Sequence, residues 1–140
     1  MSAGVVIAVL VAGGLGALAR YGVSLAFAGR STFPHAVLVV NALGSALAGM
    51  LLAVVGYVSN DVFLILITGL CGGLTTFSTW SVETIQLATE GRMRAALLNV
   101  GLNLVLGIAV AALCYYAVRL GAVVVFTIGY FDFALTHLPG

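Results

Sequence analysis

The chain has no lysine, and its charge is confined to five arginines and four acids in 140 residues. Charged residues make up 6%, against about 25% in a soluble domain, so there is too little polar surface to cover a globule in water. A net charge of +1 excludes the usual basic nucleic-acid-binding face and an acidic disordered tail, because neither has the residues to build it. Cysteine is scarce as well: Cys71 and Cys114 both fall in apolar runs, where they read as small apolar filler and not as a disulfide. No HExxH, no zinc-ligand spacing and no nucleophile beside a base is present, and His35 and His137 sit at predicted boundaries, so an enzyme is not expected. What remains is apolar: 63% hydrophobic residues and a mean hydropathy of +1.26. The composition is that of an integral membrane protein.

A span needs roughly 20 mostly apolar residues to cross about 30 Å of hydrocarbon, and the charges fall between runs of that length. Four helices with short connections are predicted, at about 4–28, 35–58, 62–89 and 95–118. Pro34 suits the start of the second, and Ser59-Asn60-Asp61 is a turn that also caps the third. No basic stretch precedes the first run, and the run is too long for a signal-peptide core, so it is expected to be retained. Residues 1–121 form the transmembrane domain; 122–140 is apolar but short of a span and is expected to be interfacial or disordered. Arg30, Arg92 and Arg94 lie on one side of the bilayer and Arg119 on the other with both termini, so the positive-inside bias is weak. A chain balanced in this way is able to insert in either direction.

Polar groups within hydrocarbon are costly and ask for a reason. Arg20 stands about two turns before the end of the first helix, where it either snorkels or pairs structurally, or faces a water-filled cavity. Asn41 shares a stripe with Gly44, Ser45, Ala48 and Leu52, a narrow packing face with one amide in it. The third span carries Gly72-Gly73-Leu74-Thr75-Thr76-Phe77-Ser78-Thr79, and a helix is expected to break at the two glycines. Such a break is tolerated only where protein or water satisfies the freed backbone groups, and it exposes carbonyls and N–H groups suited to ions. Downstream run two stripes: Phe77, Trp80 and Thr84 on one, and Thr76, Thr79, Glu83, Gln86 and Glu90 on the next. In the fourth helix Asn99, Asn103 and Gly107 share a face, as interhelical glue or as a donor ladder beside a path. Amides, hydroxyls, an arginine and electropositive ring edges favour an anion.

These residues resemble a known family. Gly16-Ala17-x-x-Arg20-Tyr21, Val40-Asn41-x-x-Gly44-Ser45 with Gly49, and Gly72-Gly73-Leu74-Thr75-Thr76-Phe77-Ser78-Thr79 with Glu83 are similar, in order and spacing over about residues 4–119, to the Fluc-type fluoride channels of the CrcB family. The resemblance implies an all-α membrane protein of the plasma membrane: an antiparallel dual-topology homodimer that passes fluoride out of the cell and holds one structural sodium ion at its centre. By motif position it implies sodium-coordinating backbone carbonyls at Gly72 and Thr75, a pore phenylalanine at Phe77, a pore asparagine at Asn41, an acid ending the hydroxyl track at Glu83, and the first-helix basic residue at Arg20. The partners implied are fluoride, the lipid bilayer and a second copy of the chain, and no nucleic acid.

Two positions depart from that pattern: Trp80 replaces the second phenylalanine, and Asn103 stands where a serine is common. The candidate pore or fluoride-binding set is therefore Arg20, Asn41, Thr76, Phe77, Thr79, Trp80, Glu83 and Asn103. Two other functions compete with the channel. A small dual-topology four-helix exporter of organic cations would need a carboxylate in the first helix, which this chain lacks; a scaffold of packed helices would carry no ion at all.

Overall fold

The computed structural model describes residues 1–29 and 33–136; Arg30, Ser31, Thr32 and the 137–140 segment with His137 lie outside them. The helices are α1 (Ala3–Phe27), α2 (His35–Ala53), α3 (Asn60–Leu64), α4 (Gly72–Leu74), α5 (Phe77–Thr89) and α6 (Met93–Thr136), with a π-helical stretch, Ile65–Cys71, joining α3 to α4. Among the described residues, four segments are long and apolar enough to cross a membrane: α1, α2, Asn60–Thr89, and Met93–Ile128 within α6. The chain is all-helical with a bent third span.

Local chemistry explains the ends. Ser2 caps α1 by accepting from Val5 N, and Ser59 caps α3 by accepting from Val62 N at 3.3 Å. Pro34 precedes α2 as its N-cap residue. The second helix stops at Ala53 and not near Val58, because Gly56 takes a φ of +94°, a left-handed conformation that turns the chain.

The third span breaks at Thr75-Thr76, three residues beyond the expected Gly72-Gly73. Thr75 (φ −77°, ψ 159°) and Thr76 (φ −148°, ψ 114°) are extended. Hydroxyl chemistry decides the location: Thr76 is the N-cap of α5, its side chain accepting from Thr79 N at 3.2 Å, and an N-cap residue has to leave the helix. Gly73 stays helical because it serves contact. A Cβ there would fall on the backbone of Gly13, so α1 and α4 cross with their backbones touching, as small residues permit in lipid.

The fourth span also differs from expectation. Its helix runs from Met93 to Thr136 as 44 residues, roughly 66 Å at about 1.5 Å per residue, so the backbone of 122–136 continues it. Gly121 and Gly129 do not stop it, since among the described residues positive φ occurs only at Gly29, Gly56 and Gly91. The α2 stripe is shared between two neighbours. Cβ atoms at Gly44 and Gly49 would meet the Thr75 side chain and the Ala111 backbone respectively, so α2 packs on the break with one part of the stripe and on α6 with the other. Both cysteines are free.

Candidate functional site

The break frees peptide groups in the middle of a membrane span, where an unpaired one costs several kcal/mol. Two polar side chains from other spans take them up. Arg20 Nη1 of α1 donates to Thr75 O at 3.0 Å. Asn41 of α2 pairs with the next residue in both senses: Thr76 N donates to Asn41 Oδ1 at 2.9 Å, and Asn41 Nδ2 donates to Thr76 O at 3.4 Å. The amide thus acts as a substitute for a neighbouring peptide. Thr75 closes α4 through its own hydroxyl, which donates to Cys71 O at 2.9 Å.

Arg20 also borders space. It lines a cavity of about 210 Å³ with Ala17, Tyr21, Ser24, Thr76 and Thr79. That cavity shares Ser24, Val37 and Thr79 with a wider cleft of about 510 Å³, whose walls include Glu83, Gln86, Glu90 and His35. The predicted hydroxyl stripe of α5 therefore borders two adjoining depressions between α1, α2 and α5. Its inner end is Thr76 at the break, 6% exposed, whose hydroxyl donates to Thr79 Oγ1 at 2.9 Å. Glu83 Oε2 is buried in this wall and makes no hydrogen bond among the described residues.

The aromatic pair occupies a separate surface. Phe77 and Trp80 stand with ring centroids 5.2 Å apart at 53°. Phe77 is 77% exposed, so little among the described residues covers it. The Trp80 indole N–H donates to Asn99 O on α6 at 3.3 Å. Asn103 belongs with Asn41, whose Nδ2 donates to its Oδ1 at 2.9 Å.

The structure thus gathers Arg20, Thr76, Thr79 and Glu83 around two adjoining depressions, links Asn41 and Asn103 behind the break, and sets Phe77 with Trp80 on the open side. Arg20, left open between pairing and facing a cavity by its sequence position, is bonded to Thr75 O and also lies on the cavity wall. The Gly72 and Thr75 carbonyls belong to the last turn before the break, with Gly72 exposed and Thr75 O already holding Arg20. Ser24, on the cavity wall, is not among the residues singled out from sequence; its spacing of four from Arg20 is the signal that marks the same helix face. Asn99, fully buried, was visible only as a member of the α6 stripe.

Residues 7–115 match the family model described as CrcB-like protein, Camphor Resistance (CrcB). The chain is 46% identical over 98 residues to the Fluoride-specific ion channel FluC of Pyrococcus furiosus, covering 68% of this chain and 80% of that one. With the Escherichia coli protein of the same name it shares 41% identity over 114 residues, 79% of this chain and 90% of the relative. With FluC 2 of Mycobacterium tuberculosis it shares 40% over 109 residues, 76% and 85% respectively. These relatives are named as ion channels and not as enzymes. With four apolar spans and a family match over most of its length, the chain is a multi-pass membrane protein that belongs to the CrcB family.

Proposed function

We propose that the protein is a passive, fluoride-selective channel that lets fluoride leave the cell. The observation that carries the reading is the pair of adjoining depressions, one walled by Glu83, Gln86 and Glu90 and the other by Thr76 and Arg20, which meet at Thr79. The inner of the two is built of neutral donors and one fixed positive charge. The relatives' shared name supports the choice of anion.

Fluoride is small and strongly hydrated, so it enters hydrocarbon only where donors replace its water. The Thr79 hydroxyl accepts from Thr76 and keeps its own hydrogen for an ion. Arg20 spends one N–H on Thr75 O, and its charge makes the 210 Å³ cavity attractive to anions. Asn41 holds Thr76 O by a long bond of 3.4 Å, the weakest of its contacts and the one most readily exchanged for a passing anion. The edges of Phe77 and Trp80 are electropositive and add weak donors without holding the ion fast. A narrow, donor-lined path disfavours chloride, which is larger and gains less from such donors.

The same reading includes an antiparallel homodimer. The weak arginine bias and the exposed Phe77 are consistent with a second copy covering this face. Such a dimer would hold sodium through the carbonyls of Gly72 and Thr75 from each chain. Thr75 O accepts one bond from Arg20 and retains a second lone pair, which fits an oxygen-seeking cation. When bound, the ion would tie the two breaks together.

The test is purified protein in liposomes loaded with fluoride or chloride, with efflux followed by ion-selective electrodes. Fluoride is expected to leave and chloride to stay. Equal release of both, or of neither, overturns the channel; proton-driven uptake of a lipophilic organic cation would point to the exporter instead.

A further inference from the structure

Asn99 is 0% exposed and lines neither the cavity nor the cleft, yet both ends of its amide are hydrogen-bonded. Its amide Nδ2 donates to Thr84 Oγ1 at 2.9 Å, and the Thr84 hydroxyl donates to Trp80 O at 2.7 Å. The Trp80 indole returns to Asn99 O at 3.3 Å. Residue 99 therefore meets the tryptophan twice: its side-chain amide reaches the Trp80 backbone carbonyl through Thr84, and its main-chain carbonyl accepts from the indole nitrogen.

The network extends to the helix break. Asn103 Nδ2 donates to Asn99 Oδ1 at 3.0 Å, Asn41 Nδ2 donates to Asn103 Oδ1 at 2.9 Å, and Thr76 N donates to Asn41 Oδ1 at 2.9 Å. Every link points the same way, from Thr76 through three asparagines and a threonine to Trp80. The two ends are backbone groups with one role each: a peptide N–H only donates and a peptide carbonyl only accepts. An amide between them that turned over would set N–H against N–H on one side and oxygen against oxygen on the other. The orientation of each asparagine is thus determined by the ends, and Asn99 is the junction between the break and the aromatic pair.

We infer that Asn99 is a positioning residue for ion selection. Its main-chain carbonyl occupies the Trp80 indole N–H, so that the ring offers an ion no N–H donor, and its side-chain amide links Thr84, bonded to Trp80 O, with Asn103, which receives the Asn41 N–H. Tryptophan at this position then acts on an ion as a plain aromatic ring does. The inference rests on the fluoride-channel reading, because it assigns the ion's path to Asn41, Thr76 and the Phe77–Trp80 pair.

The experiment uses the full chain in liposomes and two substitutions that keep the branched outline of the side chain and remove its polar groups, Asn99→Leu and Thr84→Val. Trp80 is the sole tryptophan, so its emission reports on the network directly. Each variant is expected to lower the fluoride-to-chloride flux ratio by about tenfold, the factor that follows from losing one net hydrogen bond. Each is also expected to shift Trp80 emission and lower its anisotropy, and the double variant is expected to be no worse than Asn99→Leu alone. Thr84→Val leaves Asn99 in place and covers the case in which Asn99→Leu does not fold. If total flux and stability fall while the ratio and the emission stay at wild-type values, Asn99 is structural only and the inference is overturned. Wild-type protein that carries no fluoride overturns the channel reading and this inference with it; wild-type flux with unaltered ratios in both variants overturns this inference alone.

Discussion

Arg20 and Asn41 show how a single polar side chain in a bilayer is held by what it satisfies. Arg20→Met keeps an unbranched apolar stem but leaves Thr75 O without its donor. A buried acceptor stranded in this way costs about 1–3 kcal/mol, and the expected result is a lower melting temperature in detergent together with reduced fluoride flux. Asn41→Asp keeps the acceptor for Thr76 N but replaces the N–H aimed at Asn103 Oδ1 with a second oxygen. Two facing acceptors repel, so fluoride efflux from liposomes is expected to disappear; efflux at the wild-type rate would show that the amide does not border the path. Both positions were legible in the sequence because an arginine and an asparagine inside apolar runs need partners. Their partners were not legible, since Thr75 is 55 residues from Arg20 and Thr76 is 35 from Asn41.

At the scale of elements, contact between backbones decides more than hydropathy does. Gly73 and Gly22 both lie in membrane-spanning helices, yet an added Cβ meets the Gly13 backbone at the first and nothing within 4 Å at the second. Gly73→Ala is therefore expected to push α4 off α1 and destabilise the fold by about 1–3 kcal/mol. Gly22→Ala is expected to be neutral or slightly stabilising, since alanine is the better helix former. Thermal unfolding of the two variants side by side checks the contrast, and equal loss in both would refute the backbone crossing. The two glycines of the third span marked it as special in the sequence, but the break they suggested lies at Thr75-Thr76. Glycine permits both a kink and a close approach, and only the neighbouring α1 shows which of these is used. The overlong α6 has the same cause: apolar residues without a left-handed glycine continue a helix whether or not they lie within a span.

For the whole molecule, the consequence of the proposed dimer is a dependence on sodium. Replacing sodium with N-methylglucamine on both sides of the membrane is expected to lower fluoride flux and to weaken the dimer, read by light scattering of the detergent-solubilised protein. Unchanged flux and unchanged mass would remove the central cation. The proposed dual orientation rests on charges that barely favour either side, and a bias added by basic residues at one terminus is expected to lower activity. Co-expression of an oppositely biased copy should restore it.

What the sequence determined by itself is the solvent and the parts. Nine charges in 140 residues, most of them between apolar runs, specify lipid, four spans and short connections, because a charge at the bilayer centre is too costly to be incidental. The motif residues specify the family, and the hydroxyl stripe on α5 specifies a polar face. Only the tertiary structure decided the pairing: that Arg20 and Asn41 take up the peptide groups of the break, that the α5 stripe borders two adjoining depressions, and that Asn99 ties Trp80 to the opposite end of the network. The physical reason is that helical periodicity reports which residues share a face, whereas a hydrogen bond between spans depends on how closely and at what height two helices meet. In this chain those heights are set by glycines whose partners lie far away in sequence.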